Sequence, residues 1–132
     1  PDPVWDVRWE GAQVVITAPA EPGWTARLDF AARLTDGSEA RWSVDAGAAS
    51  VVVPTVPPDA GVRAGATALL IVHLSAFDPK GQPAEVISLG GRVVEERGGG
   101  WVASATEWEG VLAAAPPVDP HAELVLDSEG AR

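Results

Sequence analysis

The chain has no cysteine, no methionine and no tyrosine, and Lys80 is its single lysine. Without cysteine there is no disulfide framework, no thiol nucleophile and no cysteine-built zinc site. The redox compartment stays open, because a cysteine-free domain suits either side of a membrane. Positive charge is scarce: nine Lys plus Arg face nineteen Asp plus Glu, for a net charge of −10. Nucleic acid binding needs a basic footprint, so no nucleic-acid partner is expected. An anionic membrane surface is disfavoured for the same reason. No apolar run approaches the roughly 20 residues of a membrane span, so no membrane insertion by a helix is expected. The acidity reads as solubility.

What is present fits one domain. A chain of 132 residues can bury roughly 70% of its unfolded surface and needs no metal to fold. It opens on Pro1, so we expect a processed, secreted or extracytoplasmic protein or a piece of a larger chain. A composition rich in Ala, Gly, Val and Arg reads as bacterial.

Apolar residues recur with a period of two, the mark of half-buried strands. The clearest case is 24–44. Trp24, Ala26, Leu28, Phe30, Ala32 and Leu34 share one face; Thr25, Arg27, Asp29 and Arg33 share the other. Ala40, Trp42 and Val44 then alternate with Glu39, Arg41, Ser43 and Asp45. A two-residue Asp36-Gly37 turn would put the two apolar sets on opposite faces. A three-residue loop, 35–37, instead pairs Ala32 with Ala40, Phe30 with Trp42 and Leu28 with Val44. Gly37 then takes the left-handed position that such a loop requires. A slip of one residue would move every side chain to the wrong face.

Further strands are expected at 4–9, 14–18, 50–54, 67–77 and 85–89. Gly90-Gly91 reads as a break, followed by a hairpin of 92–97 and 101–108 around Gly98–Gly100. The connection after Pro54, with Pro57, Pro58, Gly61 and Gly65, reads as surface. Residues 1–114 are expected as one β domain with 91–108 as an extension, and 115–132 as a Pro-rich extended segment and tail.

The order from Trp24 to Leu89 resembles the second half of a fibronectin type III or immunoglobulin-like domain. A hairpin and a Val-rich strand come first. A Pro-rich crossing then leads into "TALLIVHLSAF", which turns through "DPKGQPA" into "EVISL". The resemblance implies an all-β antiparallel sandwich, here with extra C-terminal strands. A closed up-and-down β-barrel is the alternative architecture.

Several constellations are chemically suggestive. The strand 67–77 is apolar on both faces: Leu70, Val72, Leu74 and Ala76 on one, Leu69, Ile71 and Phe77 with His73 and Ser75 on the other. A sheet with one wet face needs only one apolar set, so the second face is expected to lie under the C-terminal extension or a partner. His73 and Ser75 sit side by side, but no nucleophile elbow or Gly-rich oxyanion loop accompanies them. His73 is therefore expected to be structural, bonded to a backbone carbonyl. Asp119, His121, Glu123 and Asp127 have loose metal-ligand character, and a solvated acidic segment is the expectation. Glu95, Glu96, Glu107 and Glu109 flank the Gly98–Gly100 hairpin, where a close carboxylate pair would suit acid/base work on a sugar; water-facing hairpin charges are expected instead.

Trp5, Trp9, Trp24 and Trp42 are expected in the core. Trp101 and Trp108 fall on opposite faces of their stretch, and an exposed one would anchor a protein contact or stack on a sugar. The reading is a non-catalytic binding or structural module that engages a protein partner or itself. Its expected surface is Trp101, Trp108, Leu69, Ile71, His73 and Phe77, with no cofactor and no metal. Two alternatives are carried: a carbohydrate-binding module using exposed Trp, and a small β-barrel binding or transforming an apolar small molecule.

Overall fold

A computed structural model describes residues 4–47 and 50–114. The described chain is antiparallel β throughout, in two sheets, with one short helix. The strands are β1 (Asp6–Glu10), β2 (Gln13–Thr17), β3 (Thr25–Leu34), β4 (Glu39–Gly47), β5 (Val51–Val52), β6 (Thr67–Phe77), β7 (Pro83–Arg97) and β8 (Gly100–Ala103). Helix α1 is Trp108–Ala114. One sheet has the order β1-β2-β5; the other has the order β4-β3-β6-β7-β8.

The β3–β4 hairpin follows the expected register. Leu28 faces Val44, Phe30 faces Trp42 and Ala32 faces Ala40. The loop closes with the Leu34 N–H on the Ser38 carbonyl at 2.9 Å, and Gly37 holds φ +88°. Phe30 and Trp42 stack with ring centroids 5.3 Å apart, which adds to their area burial.

Inward residues of both sheets meet in one core. Trp5, Val14 and Ile16 come from the β1-β2-β5 side; Leu28, Phe30, Leu70, Val72, Leu74, Val94 and Trp101 come from the larger sheet. On β6 the inner set Ala68, Leu70, Val72, Leu74 and Ala76 is buried to within 1% exposure. Burying each Leu or Val side chain stabilises by about 1.5–3 kcal/mol, so this central strand carries a large share of the fold.

Gly90-Gly91 does not end a strand. β7 runs unbroken from Pro83 to Arg97. Leu70 faces Arg92 and Val72 faces Leu89, so Ile71 alone stands opposite both glycines. This is a β-bulge, one extra residue in β7. It changes the phase of the strand: Ile87 and Leu89 point to the core before it, Val94 after it. Gly91 lies close under Leu69: a Cβ there would come 2.8 Å from Leu69 Cδ1, and that half-buried side chain would have to shift. The 92–97 segment therefore continues the main sheet against the start of β6. The strand expected over 101–108 ends at Ala103.

Two latches close on β7. From β1, the Trp9 indole N–H donates to the Gly90 carbonyl at 2.6 Å, and the Arg92 guanidinium lies 5.8 Å from the Trp9 ring centroid. At the other latch, the Glu96 carboxylate accepts the Gly65 N–H and the Gly99 N–H, each at 2.8 Å. The Glu96 N–H donates to the Ala66 carbonyl, and the Val56 N–H to the Gly99 carbonyl. The long β5–β6 connection, which has almost no ladder of its own, is thereby tied to the β7–β8 turn.

Candidate functional site

The outer face of the five-stranded sheet is built by the odd residues of β6 and their neighbours in register. Asp29 faces Ser43 on β4 and His73 on β6, and His73 faces Ser88 on β7. A polar row, Ser43-Asp29-His73-Ser88, thus crosses four strands. Ser43 Oγ donates to Asp29 Oδ1 at 2.6 Å, and Arg27 Nε donates to the same oxygen at 3.1 Å. Ser43's hydrogen bond holds the Asp29 carboxyl below its ordinary range; burial opposes this, and Arg27 adds to it. At the other end of the row, His73 Nδ1 lies 2.7 Å from Ser88 Oγ.

His73 is exposed, while Leu69, Ile71, Ser75 and Phe77 on the same face are half-buried. On the same face, Val86 opposite Ser75 is 68% exposed, and Val102, beyond β7 on β8, is 38% exposed. The Arg27 guanidinium lies 5.9 Å from the centroid of the Phe77 ring. A depression of about 260 Å³ beside His73 is lined by Asp29, Ala31, Arg33, Glu39, Arg41 and Ile71, and opens to solvent. A larger one, about 360 Å³, lies elsewhere, between the β3–β4 turn and the end of the β5–β6 connection, with Asp36, Ser38, Arg63 and Thr67 in its wall. The hydroxyl and backbone N–H of Ser38 hold the Asp36 carboxyl low.

Asp, His and Ser in one row invite comparison with a hydrolytic triad. The arrangement lacks the relay. The Asp29 carboxylate is engaged by Ser43 and Arg27, and among the described residues no hydrogen bond joins it to His73. An unshielded sheet face also excludes no water, so charge on it stays screened. Among the described residues no group of three metal-ligating side chains comes together.

The expected surface residues divide. Leu69, Ile71, His73 and Phe77 do share one accessible face. Trp101 does not belong to it: it is 5% exposed, because β8 turns its odd side toward the core opposite Glu96. Trp108 is half-buried and starts α1 rather than continuing β8. His73 contacts the Ser88 hydroxyl across the strand pair, not a backbone carbonyl. The glutamates disperse: Glu96 is held in its latch, Glu95 lies 3.7 Å from Arg97, and Glu107 and Glu109 are exposed around the start of α1. The Asp119, His121, Glu123 and Asp127 group lies outside the described residues.

Sequence reasoning missed Asp29, Ser43 and Ser88. The first two were within reach, because the 30/42 and 28/44 pairs imply 29/43. Ser88 required the partner register of β6 and β7, which the bulge obscures. No protein-family model, no curated protein and no solved structure matches this chain.

Proposed function

We propose that the chain is a non-catalytic recognition module of the immunoglobulin or fibronectin type III kind, engaging a protein partner through the outer face of its five-stranded sheet. Strand order supports the fold reading. The first, second and fifth strands share one sheet, and the third, sixth and seventh share the other, the division used by immunoglobulin-type sandwiches. The fourth strand stays beside the third, and β8 extends the far edge. Open edges on the larger sheet, among the described residues, favour this over a closed barrel.

The observation that carries the functional reading is the composition of that outer face. Half-open Leu69, Ile71 and Phe77 on β6 and exposed Val86 on β7 share the face with the polar row through His73. An apolar patch crossed by fixed hydrogen-bonding groups is what a protein interface core and its specificity contacts need. Carbohydrate stacking finds less support, because Trp5 and Trp101 are buried and Trp9, Trp24 and Trp42 pack against the core. A pocket for an apolar ligand finds little either, since His73 faces solvent.

The test is photo-cross-linking from position 73 in cells of the source organism, repeated with Ile71→Asp and with Val51→Asp on the smaller sheet. A defined adduct lost with Ile71→Asp and kept with Val51→Asp supports the reading. An adduct indifferent to Ile71→Asp, or no adduct at all, refutes it.

A further inference from the structure

We propose that β4 is a self-pairing edge, and that two copies of this chain join antiparallel along it into a continuous ten-stranded sheet with the two-fold axis at Ser43. This concerns the edge of the sheet rather than its outer face, and it stands or falls independently of the function proposed above.

The backbone comes first. β4 is a nine-residue edge strand, and among the described residues no strand lies beyond it. The Leu34 N–H to Ser38 carbonyl bond sets the phase of the β3–β4 ladder. Pairs 32/40, 30/42 and 28/44 are then the hydrogen-bonded ones. Glu39, Arg41, Ser43 and Asp45 accordingly aim their backbone N–H and C=O groups away from β3. Edge strands are ordinarily blunted by charged side chains, Pro, inward charges or bulges. The stretch Glu39–Asp45 has no Pro, no Lys and no inward charge, its charges Glu39, Arg41 and Asp45 alternate in sign along the outer face, and the register shift against β3 falls beyond it, at Ala46.

The side chains then choose one register. Centred on Ser43, antiparallel pairing sets Arg41 opposite the second copy's Asp45, twice over, on the outer face. It sets Trp42 opposite the second copy's Val44, also twice, on the inner face. Centring on Trp42 would oppose Glu39 and Asp45, two like charges; centring on Arg41 would oppose the two arginines. Opposite charges directly across a ladder stabilise it, and like charges destabilise it. Arg41 can reach the new partner: its side chain is 78% exposed, and among the described residues its ion pair is with Glu39, through Nε at 2.7 Å, which leaves the two terminal nitrogens. Asp45 Oδ1 accepts the Gly47 N–H at 3.1 Å, which leaves Oδ2. Trp42 and Val44 point inward yet remain only half-buried. A continued sheet would cover them.

The experiment uses the whole chain. The absence of native cysteine makes single-thiol variants clean probes. Directly opposed hydrogen-bonded residues have Cα atoms about 5.5 Å apart, within disulfide reach. Ser43→Cys is therefore expected to form a disulfide-linked dimer on mild oxidation, while Arg41→Cys does not. Sedimentation equilibrium reads the wild-type dimer and its charge variants. Arg41→Asp and Asp45→Arg, each turning two attractive pairs into repulsive ones, are expected to weaken dimerisation by on the order of tenfold or more. The double variant R41D/D45R is expected to restore it. Circular dichroism on each variant confirms the fold. A chain that stays monomeric to millimolar concentration overturns the proposal. So does a dimer indifferent to charge reversal, or one that cross-links as readily from Arg41→Cys.

Discussion

Deleting Gly91 should be cheap, although removing one residue from the middle of a strand normally exchanges its two faces. The bulge is the reason. With Gly91 gone, Val72 still faces Leu89, Ile71 faces Gly90 alone, and Leu70 still faces Arg92. Val94 therefore stays in the core, where it is 0% exposed. What is put at risk is the aim of the Gly90 carbonyl, which accepts the Trp9 N–H at 2.6 Å. One hydrogen bond of this kind contributes about 0.5–1.5 kcal/mol net. The contrasting perturbation is deletion of His73 from β6. Its side chain is exposed and carries little packing of its own. But β6 is paired on both sides, and its ladder to β3 has no spare residue. One half of the strand must turn over. The cheaper choice expels Leu74 and Ala76, and Leu74 alone contributes about 1.5–3 kcal/mol. Outer-face polar groups enter the core in exchange. The expected total exceeds about 3 kcal/mol, a large part of the 5–15 kcal/mol that such domains possess. Urea unfolding followed by Trp emission measures both, with unchanged m-values required for the comparison. Equal losses from the two deletions would refute the bulge assignment and the register built on it.

The inward and outward sides of β6 should differ sharply: Leu70→Ala is expected to cost about 2–5 kcal/mol and Leu69→Ala well under half of that, by the same urea titration. Glu96→Gln is expected to speed amide exchange at Gly65 and Gly99 while leaving the β3–β4 hairpin unchanged, read by hydrogen-exchange NMR. Asp29, Asp36 and Glu96 all have carboxyls held below their ordinary range, the last by the Gly65 and Gly99 amides. A carboxyl depressed in the folded state contributes stability above its unfolded value of about 4, and loses it as pH falls through the folded value. Acid unfolding should therefore set in below about pH 4, and Ser43→Ala should move the Asp29 NMR titration midpoint upward. Trp5 and Trp101, 6% and 5% exposed, should be shielded from acrylamide in single-Trp variants, and ready quenching of either would contradict its place in the core.

The hairpin at 24–44 was legible to the residue, because alternation fixes which residues face inward and the Thr35-Asp36-Gly37 loop fixes the register. β6 was legible for the same reason, being long and bounded by turn residues. The bulge was not. A change of phase at Gly90-Gly91 and a break between two strands leave the same trace in a linear pattern, and only the partner strand tells them apart. Trp101 was misplaced as a consequence, since the inward side of β8 depends on the phase that β7 carries out of the bulge. Glu96 shows a different limit. Its charge pattern says water-facing, yet its partners are backbone amides of the adjoining turn at Gly99 and of the distant crossing at Gly65, which no side-chain alphabet records.

Trp9 and Gly90 are 81 residues apart, and the Glu96 latch also waits for Gly99. Both fastenings close on the last long strand. As the chain leaves the ribosome, β1 can pair with β2 and β3 with β4 and β6, but the bonds that tie the first strand and the long crossing to the larger sheet wait for β7. Completion therefore runs from the C-terminal side. A fragment that stops short of Gly90 keeps most of its hydrophobic residues and neither fastening, so the unit that closes fully reaches well past the point where most of the core is already encoded. Such distant contacts also make for slow folding relative to stability.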